Sequence, residues 1–130
     1  MERQIAKGLR ITFFIHFIVA GIFGLGLGFV FVPAMVAEFF GVEAAAPATD
    51  VYRVIGAAML GWGLSSWLAA KAEKWESVRI LVLAEILWTA AGAAVMLYSL
   101  LFNGFPPMGW ITCGIFAAFA GAFAVFYRLE

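Results

Sequence analysis

ILVLAEILWTAAGAAVMLYSLLF, residues 80–102, is a run of 23 residues with one charged side chain, Glu85. As a helix rising ~1.5 Å per residue it reaches ~34 Å, enough to cross a hydrocarbon core ~30 Å thick with some tilt. A carboxyl group in such a span is expensive and needs a partner or a proton. Around it the rest of the chain divides into similar runs. Residues 9–32 (LRITFFIHFIVAGIFGLGLGFVFV) lie upstream and are stopped by Pro33. They are far longer than the ~7–15-residue apolar region of a secretory signal, so they read as a retained span. Residues 51–70 (VYRVIGAAMLGWGLSSWLAA) form a second run and residues 110–127 a last, short one.

Composition agrees with this division. Of the 130 residues 65% are hydrophobic and 12% charged, against roughly 45–50% and 25% in a soluble domain. A core of this size cannot hide so much apolar surface, so lipid must cover it. The net charge is zero, and no basic stripe interleaved with aromatics is present, which argues against a nucleic-acid partner. One cysteine, Cys113, and one histidine, His16, exclude an intrachain disulfide, a CxxC redox pair, a bis-histidine haem within one chain and a Cys/His zinc cage. No metal and no cofactor is expected.

The connections are short. In the first, residues 34–40 (AMVAEFF) suit a short helix at the membrane interface, stopped by Gly41. A small-residue linker, 44–49, leads to Asp50, a plausible N-cap for the next helix. Residues 71–79 (KAEKWESVR) read as a tight charged loop, and 103–109 (NGFPPMG) as an uncharged turn. Leu129 and Glu130, after Arg128, read as a cloning remnant. The expected architecture is an all-α integral membrane protein: a four-transmembrane-helix, antiparallel up-down bundle in one domain, 1–130. Arg3, Lys7 and Arg10 precede the first span, Lys71, Lys74 and Arg79 follow the second, and Arg128 ends the fourth. Only Arg53 lies on the other side, so the positive-inside rule places both termini in the cytoplasm, with the protein in the cell (inner) membrane.

Small residues recur every four positions in each span: Ala20, Gly24, Gly28; Ala57, Gly61, Ser65, Ala69; Ala90, Ala94; Gly114, Ala118, Ala122. Such stripes let backbones approach, and one of them could equally face a second copy in a homodimer or a larger membrane complex. The first two spans also share a pattern, Val19-x-Gly21-x3-Leu25-Gly26-x-Gly28 and Val54-x-Gly56-x3-Leu60-Gly61-x-Gly63. Convergence of two glycine-rich helices explains the match more cheaply than an inverted repeat.

Counting inward from the flanking charges puts His16, Glu85 and Ser65 each six residues, ~9 Å, from the cytoplasmic end of their span. Thr12 and Thr89 lie one turn away on the same faces. An intramembrane polar cluster of Glu85, His16, Ser65, Thr89 and Thr12, with Ser66 beside it, is therefore expected. It would serve as interhelical glue or as a site for a small hydrophobic or lipid-like molecule. At the outer end Arg53 can pair with Asp50 or Glu38, anchor the helix at the interface, or hold an anionic ligand. Cys113 reads as a small buried hydrophobe. No nucleotide loop, metalloprotease helix or nucleophile elbow occurs, so no catalytic residue is assigned.

Pro33…Phe40-Gly41-Val42, followed by Tyr52-Arg53-Val54-Ile55-Gly56-Ala57 and Leu60-Gly61-x-Gly63, resembles the DoxX-like group of small four-span prokaryotic membrane proteins. The resemblance implies the four-span layout and, through members that serve as accessory subunits of quinone-dependent sulfur oxidation, a possible quinone. On the residues themselves the chain reads as a non-enzymatic helper subunit or self-associating bundle, with a binder or carrier of a hydrophobic molecule as the alternative.

Overall fold

A computed structural model describes residues 3–43 and 45–129, with Phe23 and Gly24 described by their backbone. Ala44 of the linker, Met1 and Glu2 of the leader, and Glu130 of the terminal dipeptide lie outside the described residues. Among the described residues the structure is helical, without a strand. Helix α1 spans Lys7–His16 and continues as a π-helical segment, Phe17–Gly24. Then follow α2 (Gly26–Phe31), α3 (Pro33–Phe39), α4 (Ala48–Lys71), α5 (Trp75–Phe102) and α6 (Gly109–Leu129).

Among the described residues three stretches are long and apolar enough to cross a membrane: Lys7–Phe31, Trp75–Phe102 and Gly109–Leu129. Helix α4, the expected second span, has 24 residues but is not among them. Arg53, Ser65, Ser66 and its tryptophans and glycines dilute its apolar character. The chain divides into two units, Met1–Thr12 with Ala69–Glu130, and Phe13–Leu68. Helices α1 and α4 each pass from one unit into the other.

In the first unit α5 and α6 run antiparallel along each other. The buried residues of α5 are Trp75, Val78, Val82, Glu85 and Thr89. Their spacing alternates three and four, the repeat that keeps one face of a helix on its neighbour. Contacts fix the register: Trp75 on Tyr127 (ring centroids 5.8 Å), Trp88 on Phe116 (5.5 Å, edge to face), and the Cys113 thiol 3.6 Å from the Ala93 carbonyl. Cys113 is half-buried, so it is an interhelical contact rather than a wholly buried hydrophobe. At Gly92 an added Cβ would lie 2.9 Å from the Phe116 ring.

The expected loop 71–79 is shorter than its sequence suggests, because residues 75–79 already belong to α5. Lys74, the residue before α5, offers no capping side-chain hydrogen bond. The leader supplies one from its backbone instead. The Trp75 amide donates to the Arg3 carbonyl (2.9 Å) and the Ile5 amide to the Glu73 carbonyl (3.1 Å), around an antiparallel bridge between Gln4 and Lys74. One of the orphan donors at a helix start is thereby satisfied by a distant piece of chain.

The second unit is built on glycine. The Leu25 amide donates to the Ala20 carbonyl, five residues back, which is the π spacing. That wide turn brings Gly26 over the Gly21 carbonyl, where a Cβ would sit 2.6 Å from the oxygen. Against this segment α4 lies backbone to backbone. A Cβ on Gly63 would be 2.8 Å from the Gly21 Cα, and one on Gly56 would be 2.8 Å from the Val30 amide and 2.9 Å from the Gly26 carbonyl. The shared pattern of the two stretches thus marks a contact, with Gly21 meeting Gly63 and Gly26 meeting Gly56.

The four-residue stripes coincide with the packed faces only in part: Ala20 and Ala69 are buried, and a Cβ on Gly28 would lie 2.8 Å from the Val36 side chain. Ala57, Gly61, Ala90, Ala94, Gly114 and Ala118 are exposed, and a Cβ on Gly61 or Gly114 would meet nothing within 4 Å. The buried row on α4 is Gly56, Met59, Gly63 and Ser66, joined by Ala69. Helix α3 begins with Pro33 at its first turn, so this proline both stops α2 and starts the next helix. It ends in a Schellman motif: Gly41 adopts φ +74°, its amide donates to Glu38 (2.8 Å), and the Val42 amide donates to Ala37 (2.9 Å). Asp50 is not a cap, since α4 starts two residues earlier at Ala48.

Candidate functional site

Among the described residues the buried polar side chains are His16, Ser66, Glu85 and Thr89. Each sits on the buried row of its helix, and the two units hold one pair each.

In the second unit His16 ends α1, just before the π segment. Its Nδ1 and the Ser66 Oγ pair across 2.9 Å. Around them the Phe17 ring lies 5.0 Å from Trp67 and Phe14 lies 6.2 Å from the same indole. The serine that reaches the imidazole is therefore Ser66. Ser65, one residue earlier and ~100° around the helix, is half-buried and donates to the Trp62 carbonyl of its own helix (2.7 Å). Thr12 likewise donates to the Gly8 carbonyl of α1 (3.0 Å).

In the first unit Glu85 is 1% exposed on a helix whose other faces are apolar. Thr89, one turn on, donates to the Glu85 main-chain carbonyl (2.5 Å). Glu85 lies one turn before Trp88 and Thr89 directly follows it, and the Trp88 ring meets Phe116. His16 and Glu85 belong to different units.

No family model, curated protein or solved structure matches the chain. Its chemistry must therefore be read from these residues. The four buried groups comprise two hydroxyls, one imidazole and one carboxyl. Among the described residues no three His, Cys, Asp or Glu side chains gather as a metal site. The arrangement can hold two helices together through the His16–Ser66 hydrogen bond, and it sets one carboxyl group, Glu85, on the buried row of α5.

Arg53 stands at the opposite end of α4. Its guanidinium bonds the Asp50 carboxylate at 2.6 Å, three residues back, with the two side chains 49% and 71% exposed. Of the expected partners it is Asp50 that it engages. An exposed pair of this kind is worth roughly 0.3–0.5 kcal/mol.

The periodicity of α5 carries a signal beyond the depth counting. Trp75, Val78, Val82, Glu85 and Thr89 already form a three-four repeat in the sequence, which identifies the face that carries the carboxyl group.

Proposed function

We propose that this is a small, non-catalytic inner-membrane protein that acts as a helper subunit or self-associating bundle. Its four spans would be Lys7–Phe31, α4, α5 and α6. The 24 residues of α4 give it ~36 Å of length, and its close backbone packing on the glycines of the first stretch suits a lipid-embedded pair. Helix α3, with Met35 and Phe39 exposed, would lie in the interface. The crowding of basic residues on the leader, the 71–79 region and Arg128 favours cytoplasmic termini. The resemblance to DoxX-like proteins fits the same layout.

The observation that carries this reading is the placement of the buried polar groups. His16 answers Ser66 at 2.9 Å, and Thr89 answers its own helix. The bond between His16 and Ser66 joins two helices, and such interhelical bonds contribute ~0.6 kcal/mol on average in lipid. One carboxyl and one imidazole in separate units make a thin catalytic set. The second reading, a carrier of a hydrophobic molecule such as a quinone, is favoured by Glu85, a buried carboxyl flanked by Trp88 and Thr89.

Native mass spectrometry from mild detergent separates the two readings. A bare monomer or dimer carrying only heterogeneous lipid is expected, with Glu85→Gln and His16→Ala altering stability alone. A discrete bound mass that disappears in Glu85→Gln would overturn the helper reading in favour of the carrier.

A further inference from the structure

Seven of the eight basic residues lie in the first unit: Arg3, Lys7, Arg10, Lys71, Lys74, Arg79 and Arg128. The structure draws them to one end of it. The clasp between the leader and residues 73–75 brings Arg3 to the start of α5, with the Trp75 amide on the Arg3 carbonyl. Gly8, beside Lys7, lies against the Phe126 ring, and Tyr127, beside Arg128, lies on Trp75. All but Arg10 are exposed, and Arg10 is half-exposed. Among the described residues only Glu73 and Glu76 oppose them there. The far end of the α5–α6 pair, residues 103–109, carries no charge.

Length sets the depth of this end. Helix α5 has 28 residues, ~42 Å, whereas ~20 residues cross the hydrocarbon core. Its apolar run starts at Ile80, so the turn holding Glu76 and Arg79 stands among headgroups. Trp75 and Tyr127, one apolar body with a polar tip each, suit the same depth. Because the backbone clasp already orders the leader, little further freedom is lost when a ligand engages it.

We propose that this end of the first unit is a binding surface for anionic phospholipid headgroups, gathered by the clasped leader and the adjoining ends of α5 and α6. The proposal rests on the reading of these helices as membrane spans. Its specificity is electrostatic, so it selects a headgroup by net charge and weakens with salt.

The full chain, reconstituted in nanodiscs, is exchanged against equimolar phosphatidylglycerol and phosphatidylcholine of identical acyl chains, and the retained lipid is quantified. Phosphatidylglycerol should be retained at least 10-fold over phosphatidylcholine. Lys7→Gln, Arg79→Gln and Arg128→Gln should each reduce that ratio by roughly 5-fold, and Arg53→Gln, at the other end of α4, should leave it unchanged. These rim side chains make no backbone contact in the clasp, so the variants should keep the fold. Equal retention of the two lipids, or equal loss in Arg53→Gln, would overturn the surface while leaving the spans intact. Release of the chain by alkaline carbonate would overturn the spans and the surface with them.

Discussion

The two units pack their helices by different means. In the second, backbones touch: Gly21 meets Gly63, Gly26 meets Gly56, and a side chain at Gly26, Gly56 or Gly63 would collide with main-chain or Cβ atoms. In the first, side chains interlock over a long antiparallel seam, with Phe116 seated on Gly92 and against Trp88. Lipid supplies no hydrophobic drive between helices, so each must gain by close contact. Backbone contact leaves no flexible atom to yield when something is added. A seam of rings can shift by a rotamer. The second unit should therefore be the brittle one.

Leucine substitutions would break or confirm this contrast. Gly56→Leu and Gly63→Leu should each cost about 3 kcal/mol, the upper part of the range for overpacking, read by unfolding in mixed micelles. Gly92→Leu should cost about 1–2 kcal/mol, since the Phe116 ring can move. The control is Gly61→Leu, where the space is open. It should be neutral or slightly stabilising, because the helix loses a glycine. Equal losses at positions 61 and 63 would contradict the assignment of the packed face.

The polar pairs sharpen the same comparison on a smaller scale. Ser66→Ala removes the partner of His16 and should cost roughly 0.6–1.7 kcal/mol. Ser65→Ala, whose hydroxyl bonds only its own helix, should stay within ~0.5 kcal/mol. Smallest of all, Arg53→Gln should lose about 0.3–0.5 kcal/mol, and that loss should vanish in high salt.

Much of the helical layout was legible in the sequence because long apolar runs punctuated by charge, proline and glycine leave few alternatives. Pro33 and Gly41 behave as their chemistry dictates. The packed faces were harder to read. In a lipid-embedded helix the outward residues are as apolar as the inward ones, so Leu87, exposed, and Val82, buried, look alike. Small residues mislead for the same reason: Gly61 and Gly63 are chemically equal, and only the partner backbone distinguishes them. Polar residues are better markers, since they turn away from lipid. Depth counting therefore singled out His16 and Glu85, both buried, yet favoured Ser65 over its neighbour Ser66. The π turn and the clasp at Arg3 left almost no local trace. Both depend on contacts between residues far apart along the chain or on one extra residue per turn.

The most direct test of the whole account is the accessibility of α5 to molecular oxygen. Single cysteines from Val78→Cys to Met96→Cys, in a Cys113→Ala background, would carry nitroxide labels in nanodiscs. The account predicts minima at 78, 82, 85, 89 and 92, with maxima at 80, 87 and 95. A flat profile, or minima at 80, 87 and 94, would contradict it, for Glu85 would then face lipid and the polar row would not hold the fold.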